Sequence, residues 1–264
     1  MIFDTHAHYD DSAFEEDRDE IIASLKDNNI GTVVNVAATL KGCEETLKLT
    51  EKYSFIYGSI GVHPEGVAEL NDQKLEELKQ ICFTKAYNKG GKIVAVGEIG
   101  LDYYYEDPLR NVQKEWFEKQ IKMAKEVELP IIIHSRDAAK DTLDILKSLD
   151  AGQNGAIIHC YSYSPEIARE YLAMDYYFGI GGVLTFKNAR KLVETVEILP
   201  MERIVLETDS PYLSPIPLRG QRNNSANLKY VVEKIASIKG ISEEEVIRIT
   251  EENARRIYKI NANA

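Results

Sequence analysis

The sequence has few cysteines and no long apolar run. Its three cysteines, Cys43, Cys82 and Cys160, are widely spaced and form no CxxC pair, so they predict reduced thiols and exclude a disulfide framework. No apolar stretch is long enough to cross a bilayer, and the first residues lack the basic-then-apolar pattern of a signal peptide. We therefore expect a cytoplasmic protein with no membrane contact, and nothing in the sequence implies a protein partner.

Positive charge is also scarce. The 32 Lys and Arg residues face 43 Asp and Glu residues, for a formal net charge of −11. A protein that wraps nucleic acid electrostatically is normally basic, so this balance argues against that class. It does not exclude a nuclease in which bound metal ions supply the local positive charge.

Short apolar runs alternate with amphipathic helical patterns along the whole chain. This alternation predicts parallel strands with right-handed crossovers, and 264 residues suit one barrel of about 250 residues. An open doubly wound sheet would carry a glycine-rich turn after its first strand, whereas the turn here reads HAHYDD. We predict an α/β fold, a single-domain (β/α)8 TIM barrel over residues 1–264, with an additional C-terminal helix that starts at a Ser242–Glu245 capping box. The predicted strands are 2–8, 32–37, 55–62, 92–97, 130–134, 155–159, 176–181 and 203–208.

The histidines follow these strands. All five stand at or just past the carboxyl end of an apolar run, and two acids hold equivalent positions; the seven residues are His6, His8, His63, Glu98, His134, His159 and Asp209. Carboxyl ends of parallel strands meet at one mouth of a barrel. The pattern therefore predicts a metal centre there.

His6 and His8 are two residues apart on a strand, so alternation places both side chains on one face. Asp209 follows the eighth strand, which neighbours the first in a closed barrel. These three side chains are candidates to hold one metal ion. The alternatives are hydrogen-bonded core histidines and a turn-capping role for Asp209.

His134 and His159 end the fifth and sixth strands, which are also neighbours, and are candidates to hold a second ion. Glu98 ends the fourth strand, and its two oxygens can bridge two ions about 3.5–4 Å apart. The alternative for Glu98 is an ion pair with a nearby Arg or Lys. Cys160 follows His159, so its side chain is expected on the opposite face, as a packed thiol.

Four further residues are candidates for substrate contact. His63 and Arg136 lie near strand ends, and Arg219 and Arg222 lie in the loop after the last strand. Arginine pairs with phosphate oxygens in bidentate geometry. Each arginine is equally well explained by a surface position or a salt bridge, and His63 by a structural role. The tyrosines beside the mouth either stack bases or cover the loops; they are Tyr103, Tyr104, Tyr105 and Tyr212.

Seven motifs occur in a recognisable order, namely DTHAHYDD, GVHPE, VGEIGLDYYY, PIIIHSRDA, IIHCYS, LETDSPYL and RGQRN. Together they resemble the TatD family of metal-dependent deoxyribonucleases, which are amidohydrolase-like TIM-barrel metallohydrolases, over essentially the whole chain. The resemblance implies one ion on His6, His8, Glu98 and Asp209. It implies a second ion on Glu98, His134 and His159.

The leading hypothesis is a metal-dependent hydrolase of DNA phosphodiester bonds, a 3′→5′ exodeoxyribonuclease as the resemblance implies. It would act on DNA ends or single-stranded DNA with two divalent ions (Mg2+, Mn2+, Zn2+ or Co2+) and a metal-activated water, with Asp209 and Glu98 as catalytic residues. A second hypothesis is a hydrolase of small esters, lactones or amides, because this fold supports many chemistries. A third is a non-catalytic metal-binding interaction protein.

Overall fold

Eight strands and nine α-helices alternate in the computed structural model, which describes residues 1–261. The strands are β1 (Ile2–Ala7), β2 (Ile30–Val36), β3 (Ile56–Ile60), β4 (Ile93–Asp102), β5 (Ile131–Arg136), β6 (Ala156–Ile158), β7 (Tyr177–Ile180) and β8 (Ile204–Leu206). The helices are α1 (Arg18–Ser24), α2 (Leu40–Lys52), α3 (Asp72–Lys85), α4 (Arg110–Glu126), α5 (Ala139–Ser148), α6 (Pro165–Ala173), α7 (Arg190–Ile198), α8 (Leu228–Lys239) and α9 (Glu243–Ile257). Within residues 1–261, no helix has the length and apolar content needed to cross a membrane.

The strands form one parallel sheet in the order β1 to β8. The gap between β1 and β8 is closed by the residues that follow β8. There the His8 amide donates to the Ser210 carbonyl at 2.8 Å, and the Asp209 amide donates to the His6 carbonyl at 2.9 Å. The sheet is therefore a nearly closed TIM barrel, as the alternating pattern predicts. Its closure joins the loop after β8 directly to the histidines of β1.

The strands are buried along most of their length because helices cover the outside of the barrel and side chains fill the inside. In β1 every residue from Ile2 to Ala7 is buried. Apolar residues suit both faces of such strands, which explains why they read as continuous β-branched runs.

The fourth strand is longer than predicted. It extends from Ile93 to Asp102, whereas the apolar run predicts residues 92–97, so Glu98 lies within the strand and not at its end. The register against β5 shifts between Val96 and Ile99, which places Glu98 at an irregularity. At Gly100 the φ angle is +152°, and a Cβ there would lie 1.9 Å from the His134 carbonyl oxygen. Glycine therefore allows β4 and β5 to stay paired beyond the irregularity.

The predicted C-terminal helix is present, and its end closes the amino end of the barrel. Helix α9 follows its N-cap residue Ser242, whose side-chain oxygen accepts the Glu245 amide, one of the two hydrogen bonds of the predicted capping box. At its other end, Ile257 and Tyr258 pack in the same apolar cluster as Phe3, and the Tyr258 hydroxyl donates to the Thr5 carbonyl at 2.9 Å. Phe3 lies near the amino end of β1, whereas His6 and His8 lie at its carboxyl end.

Candidate metal centre

Strand β1 and the loop after β8 bring three predicted side chains together. The Nε2 atoms of His6 and His8 lie 3.1 Å apart, because the two side chains project from the same face of one strand, as predicted. Asp209 Oδ1 lies 3.2 Å from His8 Nε2 and 3.8 Å from His6 Nε2. Glu98 joins them from β4, with Oε2 3.5 Å from His6 Nε2 and 3.8 Å from His8 Nε2.

These spacings fit a tetrahedral ion. Ligand atoms about 2.1 Å from a tetrahedral metal ion stand about 3.4 Å from one another. The five measured separations among the four side chains run from 3.1 to 3.8 Å. The donor set of two imidazoles and two carboxylates also suits a divalent ion.

The second oxygen of Glu98 faces a second group of histidines. Oε1 lies 2.8 Å from His134 Nδ1, 3.7 Å from His159 Nε2 and 3.9 Å from His63 Nε2. All five histidines of the chain therefore have a ring nitrogen within 4.0 Å of the Glu98 carboxylate, with two on one oxygen and three on the other. A carboxylate so placed is suited to bridging two ions.

The two groups adjoin each other. The rings of His6 and His159 stack with centroids 3.6 Å apart, and Asp209 Oδ1 lies 3.6 Å from His159 Nε2. Asp209 is therefore close to histidines of both groups. Its φ angle is +57°, a left-handed conformation that Asp tolerates better than most residues.

Three of the histidines are oriented by an acceptor on the far side of the ring. His8 Nδ1 lies 2.7 Å from the Val36 carbonyl oxygen, and His134 Nε2 lies 2.9 Å from Asp102 Oδ2. His159 Nδ1 lies 3.1 Å from Glu207 Oε2. Acceptors in this position fix the ring orientation and tautomer of metal-binding histidines. For His6 no partner of Nδ1 is found among residues 1–261.

Asp102 and Glu207 are candidate functional residues that the sequence analysis misses. Both are almost fully buried acids, and each stands near the end of a strand, in the motifs GLD and LETD. A buried acid is costly unless it is paired. Their positions at strand ends are the signal that could have identified them.

The acids determine how the histidines titrate. Burial alone would lower the pKa of these imidazoles. Asp209 outweighs burial at His8 and raises its pKa to about 9, while Glu207 and Glu98 raise the pKa of His159 to about 10. Asp102 and Glu98 raise the pKa of His134 to about 9 against the same effect of burial. The acids thus favour cations in this cavity, and an ion bound there would displace the histidine protons.

His63 differs from the other histidines. Burial and the neighbouring His134 lower its pKa to about 3, so the ring is neutral at pH 7. Its Nδ1 accepts the Glu65 amide at 3.3 Å, and the proton of the neutral ring therefore resides on Nε2, the atom that faces Glu98. His63 offers a hydrogen-bond donor to the site and no free lone pair.

The three candidate arginines are stacked on aromatic rings. The guanidinium carbon of Arg136 lies 3.8 Å from the ring centroid of exposed Tyr104, and that of Arg219 lies 4.1 Å from the centroid of Phe186. The guanidinium carbon of Arg222 lies 4.9 Å from the ring centroid of Phe14. Arg222 also donates to the Ala13 carbonyl and to the Asp17 carboxylate. To contact a phosphate, Arg222 would have to give up these bonds, which instead join the loop after β8 to the loop after β1.

The tyrosines divide by exposure. Tyr104, Tyr105 and Tyr212 are exposed, at 57%, 47% and 54%. Arg136 already occupies one face of the Tyr104 ring, so a base could stack only on its other face. Tyr103 is partly buried and its hydroxyl donates to Asp141 at 2.7 Å, so it packs the loop.

The predicted orientation of Cys160 is wrong. Strand β6 ends at Ile158, and Cys160 has a φ of +44°, so strand alternation does not continue to it. Its Sγ lies within 4.8 Å of possible ligand atoms of His159 and Glu207. Burial raises the pKa of its thiol well above the usual value, which keeps it protonated.

A TIM barrel with a carboxylate among histidines at the carboxyl ends of its strands is typical of a metal-dependent hydrolase. The family model described as TatD related DNase matches residues 3–259. A curated relative from Bacillus subtilis, the uncharacterized metal-dependent hydrolase YabD, is 41% identical over 99% of this chain and 100% of its own length. The uncharacterized metal-dependent hydrolase YcfH from Escherichia coli is 34% identical over 100% of this chain and 97% of its own length.

A solved structure of a family member has the same fold. The crystal structure of YJJV, a TatD homologue from Escherichia coli, superposes with a TM-score of 0.91 at 28% identity and covers 98% of each chain. The chain belongs to the TatD family.

Proposed function

We propose that the protein hydrolyses phosphodiester bonds of DNA and removes nucleotides from the 3′ end of single strands with two divalent ions. The observation that carries the proposal is the Glu98 carboxylate, which has histidines on both oxygens. The description of the family as TatD related DNase supports DNA as the substrate.

The distances support the first of the two proposed ligand sets, and the family resemblance supports the second. His6, His8, Glu98 and Asp209 would hold one ion, and Glu98, His134 and His159 would hold the other. Ions bound there would polarise a phosphoryl oxygen and lower the pKa of the attacking water. Mg2+, Mn2+, Zn2+ and Co2+ are all compatible with these nitrogen and oxygen donors.

Asp209 is the proposed general base. Although burial opposes ionisation, His159 and His8 lower the pKa of its carboxyl, so it is ionised at neutral pH and can accept the proton of the water. Because Asp209 lies between the two histidine groups, this acceptor would lie beside both proposed ions.

The proposed substrate contacts come from residues around the mouth. His63 would donate its Nε2 proton to a phosphoryl oxygen. Arg136 and Arg219, both exposed, would bind flanking phosphates, and Arg222 would do so after releasing Asp17. Exposed Tyr104 and Tyr105 would stack bases. A net charge of −11 favours a single-stranded end that enters a cavity over a wrapped duplex.

We also propose a cytoplasmic location, which the free thiols of Cys43, Cys82 and Cys160 support.

The test is degradation of single-stranded DNA by the chelated protein with and without each divalent ion. With a 5′ label, shortening from the 3′ end gives a ladder, whereas attack from the 5′ end releases labelled mononucleotide at once. We expect the ladder and its complete dependence on added metal. If the protein cleaves no DNA with any of the ions but hydrolyses a carboxylic ester, the proposal is wrong and a small-ester hydrolase becomes the better explanation.

A further inference from the structure

A cavity of about 490 Å³ adjoins the metal centre. His8 belongs both to the proposed metal ligands and to the wall of this cavity. Tyr212 forms another part of the wall, with its ring centroid 6.5 Å from that of His8 and its hydroxyl donating to Asp11 at 2.7 Å. The volume is sufficient for one nucleoside.

The wall of the cavity is acidic. Besides the proposed ligand His8, it contains four carboxylates and two cationic side chains, namely Asp10, Asp11, Glu15, Glu45, Arg18 and Lys41. Arg18 donates to the backbone carbonyls of Tyr9, Asp10 and Asp11, so its guanidinium is already engaged. A phosphate group would therefore be repelled from this cavity, whereas a hydroxyl group would find acceptors.

Asp10 is placed to act as such an acceptor. Its Oδ1 accepts the Asn35 side-chain amide at 2.8 Å, and among the described residues no hydrogen bond engages Oδ2. A Cβ built on Gly42, which also lines the cavity, would lie 2.9 Å from this Oδ2. A side chain at position 42 would thus crowd this carboxylate.

We propose that this cavity receives the 3′-terminal nucleoside and that Asp10 accepts a hydrogen bond from its free 3′-hydroxyl group, which makes the enzyme reject ends that carry a 3′-phosphate. This inference rests on the proposed DNA hydrolysis. With the scissile phosphate at the metal centre, the terminal sugar would lie beyond His8, in the direction of Asp10, and its base would lie against Tyr212.

The experiment uses the metal-loaded protein and 5′-labelled single strands that differ only in a 3′-hydroxyl, 3′-phosphate or 3′-deoxy end. The wild type should degrade 3′-hydroxyl strands about tenfold or more faster than 3′-phosphate strands, because like charges disfavour the wrong partner. Asp10→Asn removes the charge and should reduce this ratio at least fivefold, an estimate on the same basis. Asp144→Asn, an exposed acid on α5 paired with Lys140, should leave the ratio unchanged.

Gly42→Ala and a binding measurement test the same subsite independently, in case the Asp10 variant does not fold. Alanine suits the first turn of α2, but its methyl group should crowd Asp10 and raise the KM for 3′-hydroxyl ends. By calorimetry, thymidine 5′-monophosphate should bind the wild type more tightly than thymidine 3′,5′-bisphosphate, and Asp10→Asn should narrow the difference. Equal rates on both ends by an active wild type would overturn the subsite alone. Cleavage of neither end would overturn the proposed function and the subsite with it.

Discussion

Glu207 connects His159 to the backbone of the loop after β6. One of its oxygens lies 3.1 Å from His159 Nδ1, and the other accepts the Cys160 amide at 2.6 Å. The carboxylate is thereby fixed at both oxygens, and the ring of His159 is directed at Glu98.

Replacing Glu207 should weaken metal binding without removing a ligand. Because loss of an orienting acceptor typically costs about 10- to 100-fold in affinity, we expect that decrease for Glu207→Gln in a calorimetric titration with Mn2+ or Zn2+. Glu202→Gln, an exposed acid in the same region of the chain, is the matched control. Unchanged affinity in Glu207→Gln would show that His159 needs no orienting partner.

Replacing Gly179, which lies against the Glu207 carboxylate, should weaken metal binding in the same way. A Cβ at Gly179 would lie 1.9 Å from Glu207 Oε2, so Gly179→Ala must displace the carboxylate from His159. We expect weaker metal binding, similar to that of Glu207→Gln, and no additional loss in the double variant. Additive losses would mean that the two substitutions act through different contacts.

Glu98→Gln tests the shared carboxylate. The amide keeps the size of the side chain but loses the charge and one good ligand atom, so both ions should be lost together. Elemental analysis after dialysis should give two ions per chain for the wild type and fewer than one for the variant. Retention of both ions would disprove the bridging role.

Asp209→Asn tests the general base. The rate of DNA cleavage should fall by about 10²-fold or more, the range typical of general acid–base loss. Binding of a DNA end should change much less, because the proposed phosphate contacts are intact. Steady-state cleavage and fluorescence anisotropy distinguish the two effects. If Asp209→Asn cleaved DNA at a near-normal rate with every metal tried, another group would have to accept the proton of the attacking water.

Asn253 provides a prediction on stability. Its side-chain amide donates to the Met201 and Ile204 carbonyls at 2.7 and 2.8 Å in a buried position. Asn253→Ala leaves both carbonyls without this donor and should lower the free energy of unfolding by about 2 kcal/mol or more, measured by urea titration. Asn28→Ala, which removes an exposed bond to Ser24, should cost less than about 0.5 kcal/mol.

The periodic features of the sequence predict the barrel well, because each strand is buried by the same strand–helix repeat. The approach of His6 to His8 follows from alternation alone and is confirmed. Glu98 shows where this reasoning stops. Its position within β4 depends on a register shift between Val96 and Ile99, and no local pattern specifies such a shift.

Residues that act through tertiary contacts are less predictable. Asp102 and Glu207 are two of 43 acids, and only the folded chain shows that each meets a histidine. Cys160 was misplaced because the end of β6 lies one residue earlier than the apolar run indicates. The ion pair of Arg222 with Asp17 joins residues 205 positions apart, a separation that sequence spacing cannot reveal.

The contact between Tyr258 and Thr5 joins the two ends of the chain across 253 positions. During synthesis the first strand leaves the ribosome long before β8 and α9 exist, and it has only β2 as a neighbour in the sheet. His6 and His8 likewise emerge early, whereas Asp209 follows about 200 residues later. Contacts of such high sequence separation form late in folding. The nascent chain therefore carries an open sheet edge and only part of the proposed metal site until Asp209 has been translated.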